Sequence, residues 1–365
     1  MKRKLLLRAW RIAKMSMKTR LIAAALAAAA LIPRLAAAQD FAAMPAYQPG
    51  QQVSGTIRIR GDEHQAAMLE DWERAFHPYQ PHIHFENRLT STAHGIPALV
   101  FGLADLALMG REIAPLEGLA FRRMFRYDAL QITTATGSYD TQYQAYALGV
   151  FVNKQNPISH LTFAQLAQIF GCGYGGNIRT WGQLGLKGEW ASRRIRVLGY
   201  PTGNNIATFF AFKVFGTSGG GGPTLPDGPR WNCDLKEYAN AYNTHDKPVV
   251  SSDNFMMQEL GRDKYAIAYS GIQAKTATVK ALALAAKEGA PYIPFTLATV
   301  TDRTYPLTRS MYVYLNKAPG QPLPLPIAEF LRFILSRQGQ ASIAEQKVFL
   351  PLPASEVREQ LKKLH

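Results

Sequence analysis

Residues 305–353 read YPLTRSMYVYLNKAPGQPLPLPIAEFLRFILSRQGQASIAEQKVFLPLP. Residues 311–316 alternate apolar side chains and predict a strand. A proline-rich turn follows, then a helix with Ile327, Phe330, Leu331, Ile334 and Leu335 on one face. Residues 336–340 and the extended run VFLPLP close the unit. Upstream, residues 56–60, 82–87 and 106–110 predict strands, separated by helices at 66–76 and 95–101 and followed by a basic amphipathic helix at 117–126. Such alternation is the signature of a parallel sheet with helices on its faces, and ligands collect outside the carboxyl ends of its strands. A long β-rich run at 143–153 suits a strand crossing to a second α/β unit. That unit has helices at 163–170, 207–215 and 254–260 and strands at 194–198 and 265–269.

A second block points the same way: ALGVFVNKQNPISHLTFAQLAQIF at 147–170, followed by Trp181-Gly-Gln-Leu-Gly185. Together with the first stretch, it closely resembles the phosphate-type solute-binding proteins of ABC importers, over residues 53–353. The resemblance implies an α/β, two-lobed type II periplasmic-binding fold, its two mixed or parallel sheets flanked by helices and joined by hinge crossovers. The first lobe would take residues 53–146 and the second 147–302. Residues 303–365 would return to the first lobe as a strand and C-terminal helices.

The resemblance also implies an oxyanion site built from four segments that supply hydroxyls, an arginine and backbone amides. The first segment here is Gly61-Asp62-Glu63-His64, where relatives read like glycine-serine-aspartate-threonine. A hydroxyl donor is thus replaced by carboxylates, and Asp62 either caps the following helix or meets the ligand. Facing the ligand, it would accept a proton from a protonated oxyanion and favour hydrogen phosphate over sulfate. The second segment, Thr90-Ser91-Thr92-Ala93, keeps the hydroxyl-rich character, so Ser91 and Thr92 either donate or only cap. In the third, Arg111 occupies the family's arginine position and Gly110 stands where a serine is usual. Arg111 would clamp an oxyanion, unless it pairs with Asp105 or Glu112. The fourth runs from Gly199 to Thr208: Tyr200 replaces an arginine and Asn204-Asn205-Ile206 replaces serine-glycine-threonine, leaving Thr202, Asn204 and Asn205 as donors.

The first 38 residues hold nine Lys or Arg and no acid, with the apolar run LIAAALAAAALIP and then LAAAQ. This is a signal peptide cleaved near Ala38, which places the mature chain in the periplasm. Residues 39–52 form an exposed lead-in. Taking nine from the 41 basic residues leaves 32 against 26 acidic, so the net charge falls from +15 to +6. The strongly basic balance therefore belongs to the leader. No basic helix, zinc spacing or aromatic RNA-binding strand points to nucleic acid. Two cysteines in an exported chain, Cys172 and Cys233, are expected to bridge. His82-Ile-His84 reads as a solvent-facing strand pair, and no ligand spacing calls for a metal or cofactor. With no Walker-type motif or paired catalytic groups, an enzyme is not expected. The expected protein is a monomer that captures a small oxyanion and presents it to an inner-membrane ABC permease. The alternative is an exported interaction scaffold with an altered ligand or none.

Overall fold

In SGTIRIRG the side chains of Ile57 and Ile59 are buried while Arg58 and Arg60 stay partly exposed. That period of two makes Ser54–Gly61 a strand, β1, with one face on the core. The structure, a computed structural model, describes residues 41–141, 145–172, 177–202, 204–216, 230–239, 241–242 and 248–365. The leader and the Gly219–Gly222 run lie outside the described residues.

After β1 come α1 (Ala66–Phe76), β2 (His82–Leu89), α2 (Gly95–Val100), β3 (Leu106–Met109), α3 (Pro115–Phe125) and β4 (Leu130–Thr136). The next set is β5 (Gly149–Asn153), α4 (Phe163–Phe170), β6 (Arg196–Gly199), α5 (Asn205–Phe215) and β7 (Lys236–Glu237), then α6 (Ser252–Arg262), β8 (Ala266–Ser270) and β9 (Val279–Ala281). The chain finishes with β10 (Ser310–Leu315), α7 (Leu325–Ile334), α8 (Arg337–Gln346) and α9 (Ala354–Lys362).

One five-stranded sheet has the order β2-β1-β3-β10-β4, and the other β7-β6-β8-β5-β9. β1, β2 and β3 are parallel, while β10 runs antiparallel to both of its neighbours. In the second sheet β7, β6 and β8 are parallel and β5 reverses. Both sheets are therefore mixed, and each carries its own core.

The stretch at 305–353 decides this layout because β10 sits inside the first sheet. All six of its side chains are buried, and their alternation separates two cores. Met311, Val313 and Leu315 join the core with α1 and α7, and Tyr312 and Tyr314 join the one with α2 and α3. Ser336 caps α8, accepting from Gly339 N at 3.2 Å, so the segment that closes the unit opens with a helix. Trp72 of α1 donates to the Gly339 carbonyl at 3.0 Å and ties the two helices.

Three expectations need correction. The lead-in expected to be exposed at 39–52 is buried in part: Met44 and Tyr47 pack into the first lobe's core, and Tyr47 Oη donates to Glu329 Oε2 at 2.7 Å. The long strand expected at 143–153 forms only at β5. Residues 142–144 lie outside the described residues, and Ala145–Leu148 bond to the neighbouring crossing instead of a ladder, as in Leu148 N to Leu307 O at 3.1 Å. The Cys172–Cys233 bridge is not formed, and both are free thiols. The pairing of Gly171–Cys172 with Arg230–Trp231 sets Arg230, not Cys233, opposite Cys172. Arg179 Nη2 donates to Cys172 Sγ at 3.3 Å, and Cys233 lies exposed beyond the strand.

Candidate functional site

The parallel strands of both sheets aim their carboxyl ends at one cavity of about 240 Å³. Asp62 follows β1, Ser91 and Thr92 follow β2, and Arg111 follows β3. Asn204 and Asn205 open α5 after β6, and Ser251–Asp253 open α6. β10 is antiparallel to β3, so its entry residue, Arg309, arrives at the same end. Of the residues expected from the sequence, Asp62, Ser91, Thr92, Arg111, Asn204 and Asn205 line this cavity. Thr202 is not among the lining residues; its amide donates to Glu237 Oε1 at 3.1 Å, on the edge strand β7.

Asp62 is 4 % exposed, and it caps the turn while facing the cavity. Its Oδ1 accepts from His64 N at 3.2 Å and lies 2.9 Å from His64 Nδ1, capping the turn, while the carboxylate lines the cavity. Burial alone would push this carboxyl up, but the His64 hydrogen bonds, the His64 charge and Arg309 hold it below the usual range. The same contact raises His64. Gly110 makes room for the arrangement: a Cβ there would fall 2.5 Å from Asp62 Oδ2. Gly61, at φ +134°, lets β1 pass within contact of the Leu108 carbonyl, where a Cβ would sit 2.0 Å away.

Several expected donors are partly engaged as caps. Ser91 Oγ accepts from Ala93 N at 3.3 Å, and Asn204 Oδ1 from Ile206 N at 2.7 Å. Their hydroxyl and amide hydrogens are left for other acceptors. The Thr90 and Ser91 amides are spent on the Gly61 carbonyl, at 2.8 and 2.9 Å. Those two backbone amides are therefore not free to donate into the cavity.

The two arginines differ sharply. Arg111 is held by Glu117 through both Nη atoms, at 2.8 and 2.7 Å, and by the Glu112 carbonyl at 2.9 Å. Neither Asp105, which pairs with Arg58, nor the Glu112 carboxylate, which pairs with Lys213 at 2.8 Å, is its partner. Burial would lower the Arg111 pKa, and the Glu117 pair more than reverses that. Arg309 is 6 % exposed and enters no ion pair among the described residues. One Nη2 bond reaches the Gly110 carbonyl at 2.6 Å, the guanidinium lies 5.1 Å from the Phe209 ring centre, and Nε has no partner. Burial pushes its pKa down, with Tyr146, Asp62 and Glu112 opposing. An arginine stays charged under such conditions, so a buried cation faces the cavity with donors to spare.

Arg309 was missed although it lies in the opening stretch, in LTRSM, because periodicity marks strands and not the residue before one. Ser251-Ser252-Asp253 was missed too; the capping signature before α6 was the available signal. Tyr200, in the arginine's place, is buried and donates to Asp253 Oδ1, and Tyr146 donates to Oδ2 at 3.1 Å.

The profile of the PBP superfamily domain matches residues 46–338. The phosphate-binding protein PstS of Pseudomonas aeruginosa is 32 % identical over 327 residues, 88 % of this chain and 91 % of that protein. Protein SphX of Synechococcus elongatus is 26 % identical over 271 residues, covering 73 % and 68 %. Among solved structures, an ABC-type phosphate transport receptor from Vibrio cholerae superposes with a TM-score of 0.52 at 19 % identity, over 80 % of this chain and 99 % of its own. PstS from Borrelia burgdorferi gives 0.52 at 16 % identity, over 82 % and 99 %. These two likenesses bear on the fold.

Proposed function

The chain belongs to the PBP superfamily, on its PstS-like branch, and from that premise we propose that it is an exported receptor for a small oxyanion, phosphate or a close analogue, which it delivers to an ABC permease. The observation that carries this reading is Arg309: a buried cation, unpaired among the described residues, in a cavity rimmed by hydroxyl and amide side chains. Burying a charge without a counterion is costly, and a bound anion offsets that cost. Ser91 and Thr92 donate from the first lobe and Asn204 and Asn205 from the second, so the ligand holds the lobes together. Asp62 accepts a hydrogen bond from the O–H of a protonated oxyanion and repels one that has none. Arg111 shapes the rim through its pair with Glu117, and its charge is largely spent there.

Across the same gap, Lys213 of α5 meets Glu112 of the first lobe at 2.8 Å. This ion pair favours the arrangement in which the lobes are together. Binding and release require no covalent step, and the relatives' role as transport receptors agrees with that. Among the described residues no helix is long and apolar enough to cross a membrane. The basic leader with its apolar run supports a mature chain released outside the inner membrane.

Isothermal titration calorimetry on the mature protein tests the reading, with phosphate, arsenate and sulfate as ligands. Phosphate and arsenate should bind and sulfate should not. Heat with none of the three, in protein shown to be folded, would replace the receptor with the scaffold reading.

A further inference from the structure

The cavity contains a second carboxylate that this reading does not use. Asp253, in the first turn of α6, is 5 % exposed and lies on the lobe opposite Asp62, in the same cavity. Its partners are neutral: Tyr200 Oη on Oδ1, Tyr146 Oη at 3.1 Å from Oδ2, and the Gln273 amide at 3.4 Å from Oδ2. No cation pairs with it among the described residues, and three donors do not exhaust the four or so lone-pair sites of a carboxylate. Burial raises its pKa and those donors offset the shift only in part. The cavity thus sets two buried acids, one from each lobe, against one arginine that is unpaired among the described residues.

That count constrains the ligand. An oxyanion without protons would point acceptors at both acids and leave them unsatisfied. A singly charged oxyanion with two acidic protons has one for each acid and two further oxygens for the donors.

Resting on the oxyanion reading above, we propose that the receptor selects the dihydrogen, singly charged form of its ligand, one O–H donating a hydrogen bond to Asp62 on the first lobe and the other to Asp253 on the second. The remaining groups around Asp62 are His64, Glu63 and Arg309. Those around Asp253 are Tyr146, Tyr200 and Gln273, with Ser270 against Tyr200. The tyrosines stay neutral over the working range because burial holds them far above their ordinary value. His64, whose pKa the Asp62 contact raises, is the other group whose charge can change with pH, and the test separates its effect.

Calorimetry on the mature protein at about pH 5.5 compares phosphate, phosphite and hypophosphite, all mainly monoanions with two, one and no acidic O–H. Affinity should fall about tenfold or more at each step. The affinity for total phosphate should also fall between about pH 6 and 8.5, approaching tenfold per unit as the dihydrogen form disappears. Asp253→Asn should flatten that decline, and His64→Gln should keep it. The proposal is overturned by phosphate binding that is level or rises across this range. It is equally overturned by hypophosphite binding as tightly as phosphate, or by a slope that vanishes in His64→Gln. Phosphate that fails to bind at every pH defeats the oxyanion reading as well, whereas a level profile defeats this inference alone. If Asp253→Asn does not fold, the three-anion series decides on the native protein.

Discussion

Replacing Arg309 by Met removes the charge and keeps part of the stem that lies against Phe209. The guanidinium has one hydrogen bond within the protein and an unpartnered Nε. Its lost contacts are therefore mainly those with the anion. A charge-assisted hydrogen bond contributes about 1.5–3 kcal/mol, and about 1.4 kcal/mol is a factor of ten. Arg309→Met should weaken phosphate binding by about ten- to a hundredfold. Because a buried unpaired cation is itself a burden, the unliganded variant should melt no lower than the native protein. Arg111→Met should do the reverse. It leaves Glu117 without its bidentate partner, which lowers the melting temperature, and it shifts affinity by no more than about threefold because the pair's net field is small. Calorimetry and thermal melts, with and without phosphate, give the four numbers needed. If Arg111→Met loses tenfold or more while Arg309→Met binds normally, the reasoning fails. The Arg111–Glu117 pair would then have to open for the ligand.

Gly110→Ser alone should destabilise the fold by pressing on Asp62 Oδ2, and adding Asp62→Ser should relieve it; a double-mutant cycle in urea that shows no coupling would contradict the packing. Lys213→Met removes the ion pair between the lobes, which is partly exposed, and should speed phosphate release about two- to fivefold in stopped-flow. His64 has a raised folded pKa, so its share of stability is full below its unfolded value of about 6.5 and is lost as pH rises through the folded value. Asp62, held low, loses its share only in acid. The melting deficit of His64→Gln should therefore be largest at about pH 5–6 and fade as pH rises through the folded value. N-terminal sequencing of periplasmic protein should begin near Gln39, and a retained apolar run would instead indicate an anchor.

Much of the fold could be read from the chain because burial imposes a period. α1 and α4 occupy the expected residues, with Met68, Leu69, Trp72 and Phe76 on the buried face of α1. β4, Leu130–Thr136, was not anticipated: LQITTAT has polar threonines at positions that the structure buries. Thr134 is satisfied by its bond to the Met311 carbonyl at 3.2 Å, a tertiary partner that hydropathy cannot reveal. The crossing at 145–148 was misread for the related reason that apolar, β-rich residues are also what a buried connection needs.

The site was legible where its chemistry is local and obscure where it is compensatory. Ser91, Thr92, Asn204 and Asn205 sit at strand-to-helix turns, where the family resemblance placed them. Arg111 carried the right residue type in the right segment. Yet Glu117, six positions on and reached through the first turn of α3, absorbs its charge. The exchange at Asp62 and Gly110 shows why substitutions read one at a time mislead. A carboxylate at 62 looked like a lost hydroxyl, and a glycine at 110 like a lost serine. In three dimensions they form one change: the absent side chain at 110 leaves the space that Asp62 fills. Arg309, reaching the Gly110 carbonyl from β10, then faces the carboxylate across the cavity that any ligand must share. On the reading proposed above, an acid and an arginine without an ion pair among the described residues make a site tuned to an anion that still carries protons, not a weakened anion site.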